Sequence, residues 1–264
     1  MIQKANDPAL QHIFPEGLFM GTSGLLLPYK NMSFYPVAFT GKSRLAVYAL
    51  LNNSIEINSS FYKIPRKATV AKWNDSVQPG FKFTFKLIRT VTHTKGAAFP
   101  SGDVERFMES INAIEQDKQG CILVQFPASF RISQWQHFAS LLSALHARNQ
   151  DQHWSISVEL RDPSWYREET ITFLEQRAIG IVIHDKATGA SAEPEHTDSR
   201  HVYLRFHGPE GNYRGSYEDF FLAEYATYIR EWLQQQKEVF VYFNNTMGDA
   251  LSNMNTLGKA IIHA

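Results

Sequence analysis

Apolar and polar residues alternate along eight short stretches of this chain, and between those stretches apolar residues recur at helical spacing. Successive side chains leave a strand on opposite faces, so this alternation predicts strands with one apolar and one polar face. The predicted strands are FMGTS at 19–23, SIEIN at 54–58, FKFTFK at 81–86, CILVQF at 121–126, SISVELR at 155–161, GIVIHD at 180–185, VYLRFHG at 202–208 and VFVYFNN at 239–245. Val104, Phe107, Met108, Ile111 and Ile114 form a helical stripe; so do Trp135, Phe138, Leu142 and Leu145, and then Phe221, Tyr225, Tyr228 and Trp232. All three read as core faces rather than cofactor sites. Asp162 before Pro163 reads as an N-cap that starts a helix directly after the fifth strand, and Asp249 marks the start of the last helix.

Strand followed by helix, repeated eight times, predicts a parallel sheet, and a chain of 264 residues with 44% hydrophobic content suits one closed (β/α)8 TIM barrel, a single domain over 1–264. An open doubly wound sheet ranks second, because no GxGxxG follows the first strand. Connections 87–102 and 186–201 are long and read as candidate lids.

Strand parity also sorts the candidate chemistry. Glu56 and Asn58 oppose Ile55 and Ile57; Lys82, Thr84 and Lys86 oppose the three phenylalanines of their strand; Ser157, Glu159 and Arg161 oppose Val158 and Leu160; Tyr203, Arg205 and His207 oppose Leu204 and Phe206; Gln125 opposes Val124 and Phe126. In a barrel the apolar members pack beneath the helices and the polar ones point into the lumen. Charge at the C-terminal ends of strands lies where barrels build active sites. Glu56, Lys86, Glu159, Arg161, Arg205, His207 and Asn244 are therefore expected to converge on one pocket bordered by the loop carrying His93. The competing reading is that Glu56 with Lys86, and Glu159 with Arg161 or Arg205, are ion pairs that only fill the lumen. Lys82, near a strand start, is assigned to the solvated end.

Composition narrows the function. Lys and Arg number 26 and Asp and Glu 26, so no overall field draws the chain to nucleic acid or an anionic membrane. The lone Cys121 lies in an apolar run, which fits a reducing compartment; the N-terminal stretch has no signal-like apolar run, and no segment has the length of a membrane span, so the expected location is cytoplasmic. GxSxG, Walker and HExxH motifs are missing, which argues against acyl-enzyme and nucleotide hydrolysis. His184, Asp185, Glu159, Glu56 and His207 include metal-ligand types but no local ligand pair, so no metal site is assigned and no cofactor is required.

In order along the chain come GTSG at 21–24, FYP at 34–36, EINSSFYKIP at 56–65, Trp73, TH at 92–93, QFP at 125–127, VELR at 158–161 with SW at 164–165, RFHG at 205–208 and YFNN at 242–245. This ordered set resembles the DUF72 family of YecE-like proteins over nearly the whole chain. The resemblance implies a TIM barrel of the TM1631-like type and no known reaction. Where that family commonly has GWxY after the first strand this chain reads GLLLPY at 24–29, losing a tryptophan that would wall the pocket.

The expected catalytic residues are Glu56, Lys86, Glu159 and His207, the carboxylates as acid and base and His207 as proton carrier. Asn58, His93, Gln125, Arg161, Asp185, Arg205, Asn244 and Asn245 are the expected substrate contacts. Arg161, Arg205 and Lys86 suit a carboxylate or phosphate, so the expected partner is a small anionic or polyhydroxylated molecule, acted on by a hydrolase or lyase. A non-catalytic metabolite-binding protein is the first alternative. A nucleic-acid-processing enzyme using Lys86, Arg89 and Lys95 is the second.

Overall fold

Each alternating stretch forms a strand because its apolar face meets a layer of helices and its polar face meets the other strands across a shared interior. The structure, a computed structural model, describes residues 14–94, 98–186, 191–192 and 199–263. The strands are β1 (Leu18–Thr22), β2 (Ser54–Ile57), β3 (Lys82–Lys86), β4 (Gln119–Gln125), β5 (Ser155–Glu159), β6 (Ile179–His184), β7 (His201–Phe206) and β8 (Glu238–Phe243). The helices are α1 (Arg44–Leu51), α2 (Lys67–Asp75), α3 (Arg89–Thr92), α4 (Ser101–Ile111), α5 (Trp135–Arg148), α6 (Glu168–Glu175), α7 (Asp219–Gln234) and α8 (Ala250–Ile262).

All strands are parallel, in the order β1-β8-β7-β6-β5-β4-β3-β2, which brings β1 beside β2 and nearly closes the barrel. Side chains complete the seam. Asn53 accepts from Met20 N–H at 2.9 Å and donates to the Leu18 carbonyl at 2.7 Å, while the Tyr48 hydroxyl accepts from Thr22 N–H at 2.8 Å and donates to the Ser54 carbonyl at 3.1 Å. Gly21 is required here, since a Cβ would lie 2.0 Å from the Ser54 carbonyl oxygen. Just above, Ser23 and Glu56 form a parallel bridge, so closure of the barrel also sets the position of Glu56.

Two apolar cores follow from strand parity. The outer one places Phe83, Phe85, Val124, Val158, Leu204 and Val241 beneath the helices; the inner one, inside the lumen, contains Cys121, Leu123, Val182, Tyr203, Phe240 and Tyr242. The predicted stripes of α4 and α5 are buried except for Trp135, which is half-buried. No helix among the described residues is long and apolar enough to cross a membrane.

Four local expectations are corrected. Alternation continues one or two residues beyond strand pairing, so Asn58, Arg161, Asp185, His207, Asn244 and Asn245 sit just past the strand ends. The Asp162 carboxylate accepts from Ser164 N–H at 3.0 Å but caps only the 3-10 turn Pro163–Trp165, and α6 begins later, at Glu168. In α7 the buried face is Leu222, Ala226, Ile229 and Trp232. Small Ala226 lets the helix lie close to the sheet, and the larger rings of Phe221, Tyr225 and Tyr228 are half-buried along its flank, Tyr225 edge-on to Phe206 at 5.0 Å. Lys82 is not free in solvent: its Nζ donates to the Gln119 carbonyl at 3.0 Å.

Candidate functional site

At the strand C-terminal ends, the inward positions of β2, β5 and β7 carry three fully buried charged side chains, Glu56, Glu159 and Arg205. Burying a charge is costly unless partners replace its water. Here they do. Arg205 donates through Nε to Glu56 Oε2 at 2.9 Å and through Nη2 to Oε1 at 2.8 Å, a bidentate pair. Its Nη1 donates to Glu159 Oε2 at 2.5 Å. Glu56 also accepts from Ser23 Oγ at 2.6 Å and from the Tyr203 hydroxyl at 2.5 Å. Glu159 Oε1 accepts from Arg161 Nε at 2.8 Å and Nη2 at 2.5 Å. Burial pushes both carboxyls upward, but the Arg205 charge and the surrounding donors outweigh it: Glu56 is held below, and Glu159 well below, the usual carboxylate range.

Above this network opens a cavity of about 380 Å³, within the size range of small-molecule sites. Asn58, Lys86, His93, Gln125, Arg161, Arg205 and Asn244 line it, together with Phe61, Tyr62, Pro127, Ala128 and Tyr213. The sequence-predicted cluster is thus brought together in two tiers, with cations and amides facing the cavity and both carboxylates sealed beneath them. Of the five N–H groups a guanidinium carries, two from Arg161 go to Glu159, leaving three without a partner among the described residues. Lys86 Nζ has no hydrogen-bond or ion-pair partner among them either and rests over the Phe61 ring, 4.2 Å from its centroid. The anticipated Glu56–Lys86 ion pair does not form; Arg205 takes that carboxylate. Burial, then the Arg205 charge, bring the Lys86 pKa down to about 8. His93 falls to about 4, through burial and then the Lys86 charge, so it is neutral at physiological pH. Asn58 Oδ1 is a buried acceptor with no partner among the described residues.

Besides Glu56 and Glu159, three expected site residues lie outside the cavity lining: His207, Asp185 and Asn245. His207 is fully buried, and its Nε2 faces Arg205 Nη1 at 3.2 Å. A guanidinium can only donate, so Nε2 is the acceptor and neutral His207 carries its proton on Nδ1, 3.3 Å from Asp185 Oδ1. Burial, above all, lowers its pKa. Asp185 Oδ1 accepts from His207 N–H at 2.6 Å and its Oδ2 from the Tyr217 hydroxyl, tying the β7 end to the following loop. Asn245 is buried and donates to the Gly215 carbonyl at 3.1 Å and to Asn253 Oδ1 at 2.9 Å. His184, half a candidate ligand by type, accepts from Lys186 N–H at 3.2 Å. No group of three or more His, Cys, Asp or Glu among the described residues has an arrangement that would hold a metal ion. Lys95 and most of the 186–201 connection lie outside the described residues.

The aromatic wall was not anticipated. Phe61 and Tyr62 follow β2 directly, and Tyr213 comes from the connection after β7, whose HGPEGNYRGSY composition is a loop signal. Tyr213 adopts φ 70°, uncommon for a bulky residue, and the Lys186 ammonium lies 4.2 Å from its ring centroid. Gly208 permits this loop, as a Cβ there would be 2.1 Å from the Arg214 carbonyl oxygen.

A second cavity, about 600 Å³, opens at the strand starts. Its lining mixes Glu16, Asp117 and Glu238 with Lys82 and Lys237, so it offers no excess of positive charge.

A family model described as "Protein of unknown function DUF72" matches residues 19–263. The UPF0759 protein YunF of Bacillus subtilis (strain 168) is 26% identical over 250 residues, 84% of this chain and 87% of its own length. The DUF72 family protein TM1631 of Thermotoga maritima MSB8 superposes with a TM-score of 0.70 at 27% identity, covering 92% of this chain and 98% of that one. EF0366 of Enterococcus faecalis V583, also a DUF72 family protein, gives a TM-score of 0.76 at 24% identity over 94% and 96% of the two chains.

Proposed function

The chain belongs to the DUF72 family of proteins of unknown function, which supplies the barrel and leaves the chemistry open, and from its pocket we propose that it binds a small hydroxylated carboxylate or phosphate. One observation carries this reading: three cations, Lys86, Arg161 and Arg205, line the cavity, while the two nearby carboxylates are sealed below and saturated with donors. That leaves free donors and excess positive charge at the cavity surface. A planar guanidinium matches an oxyanion in two-point geometry. The Asn58 side chain adds an amide to the cavity lining for a ligand hydroxyl, and Phe61, Tyr62 and Tyr213 provide faces for its carbon skeleton.

The same geometry redistributes the catalytic roles. Glu56 and Glu159, held deprotonated and occupied by arginine, are poor acids and bases; they fix Arg205 and Arg161 in place. Proton transfer in a reaction here falls to Lys86 and His93, which favours a lyase over a two-carboxylate hydrolase. Titration calorimetry with inorganic phosphate and short hydroxy acids tests the binding. Wild-type protein is expected to bind, and Arg161→Met to weaken binding by about tenfold or more. Failure of every such anion to bind the folded wild type defeats the reading; binding without turnover identifies a metabolite-binding protein instead.

A further inference from the structure

Among the lysines drawn into the protein, Lys86 is treated differently from its neighbours. Lys82, Lys118 and Lys186 each donate an Nζ hydrogen to a backbone carbonyl, of Gln119, Asn74 and Gly211 respectively. Lys86 has no acceptor among the described residues, only the Phe61 ring, and it shares its cavity with two guanidinium groups. An ammonium has three donors to satisfy, and this position satisfies none of them. The ring face attracts the charged form, but a quadrupole is a weaker influence than two full positive charges nearby.

We propose that Lys86 is a nucleophilic amine that forms an imine with an aldehyde or ketone whose carboxylate or phosphate rests on Arg161. This rests on the anion-binding reading above and adds to it a substrate class, a carbonyl compound bearing an anionic group. The Lys86 nitrogen adds to the carbonyl carbon, a C–N bond forms, and the carbonyl oxygen leaves as water with both amine hydrogens, giving C=N. No oxidant or co-reactant is needed. With its pKa at about 8, about a tenth of the amine is unprotonated at pH 7, far more than for an ordinary lysine. Burial and neighbouring cations are the two means by which proteins prepare a lysine for this reaction.

Pyridoxal 5′-phosphate, an aldehyde carrying a phosphate, serves as the probe. Full-length protein is incubated with it at neutral pH, reduced with borohydride and mapped by peptide mass spectrometry. Lys86 is expected to be labelled about tenfold or more faster than exposed lysines such as Lys30 and Lys42, and excess inorganic phosphate should slow that labelling. Lys86→Arg should remove the preferred adduct, and Arg161→Met should erase the preference while leaving lysine reactivity elsewhere. Labelling spread evenly over the lysines while phosphate still binds in calorimetry overturns the imine and leaves the anion site standing. If neither phosphate nor the probe engages the pocket, both readings fall.

Discussion

Two polar layers fill the lumen of this barrel, two residues apart on the same strands, and they are built on opposite principles. In the lower layer Tyr242 hydroxyl meets Ser54 Oγ at 2.5 Å and Thr84 Oγ1 at 2.7 Å, and His201 Nε2 meets Ser157 Oγ at 2.8 Å; every member is neutral. Gly180 makes room for the imidazole, since a Cβ there would lie 2.8 Å from Nε2. In the upper layer Ser54 gives way to Glu56, Thr84 to Lys86, Ser157 to Glu159 and Tyr203 to Arg205. The lower layer spends its hydrogen bonds inside the protein, with Tyr203 donating upward to Glu56, and has nothing to offer a ligand. The upper layer closes its bonds around the carboxylates and leaves donors of Arg161 and Lys86 facing the cavity. Polarity inside a barrel is therefore not evidence of a site; unspent polarity beside a cavity is.

The comparison is sharpest at Arg205. Arg205→Met leaves the buried Glu56 without a counter-ion and Glu159 with Arg161 alone, and is expected to destabilise the protein by about 3–5 kcal/mol in chemical denaturation at pH 7. In the wild type both carboxyls have depressed pKa values, so their stabilisation is present above the unfolded value of about 4.3 and is lost as pH falls through the folded values. In the variant, unpaired burial raises Glu56, and the deficit should shrink between pH 7 and pH 4. A loss under about 1 kcal/mol, or one that does not vary with pH, would show that the upper network is not what holds the lumen.

The lower layer has its own pH signature at His201. Burial lowers its pKa from 6.5 to about 4, so the folded state resists protonation and the unfolded chain does not. Stability should fall as pH drops from about 6.5 to 4, by up to about 3 kcal/mol. His201→Gln should flatten that slope and leave phosphate affinity unchanged, because the ring lies far down the lumen from the cavity lining.

Arg161→Met separates ligand binding from stability. Glu159 keeps its bond from Arg205, so the expected loss is about 1–2 kcal/mol by thermal denaturation, alongside the fall in anion affinity. A loss matching that of Arg205→Met would make Arg161 a structural counter-ion only. Tyr242→Phe should have the smallest effect, about 1 kcal/mol, since Ser54 Oγ also donates to the Lys82 carbonyl at 2.9 Å and Thr84 Oγ1 accepts from Cys121 N–H at 3.2 Å. Phosphate binding should not change in that variant; if it does, the two layers are coupled.

Much of this was legible in the chain. Strand parity alone separated Glu56, Lys86, Glu159, Arg161 and Arg205 from the apolar positions beneath the helices, because a period of two follows from the geometry of one strand. It missed Phe61, Tyr62 and Tyr213, which sit on connections where no period applies, and helical spacing identified Trp232 of α7 but placed the other three buried positions one residue off, because ring size and Ala226 set how that helix meets the sheet.

The order of strands, their inward residues and the end of the barrel that carries charge were determined by the sequence, since each depends on local alternation and chain direction. Which carboxylate pairs with which cation was decided by the tertiary structure. Arg205 reaches both Glu56 and Glu159 because closure of the barrel brings β2 and β5 within one guanidinium of β7, and Lys86 is left without a carboxylate among the described residues for the same reason. Ion pairing depends on distances across the lumen, and those exist only once eight strands have closed around it.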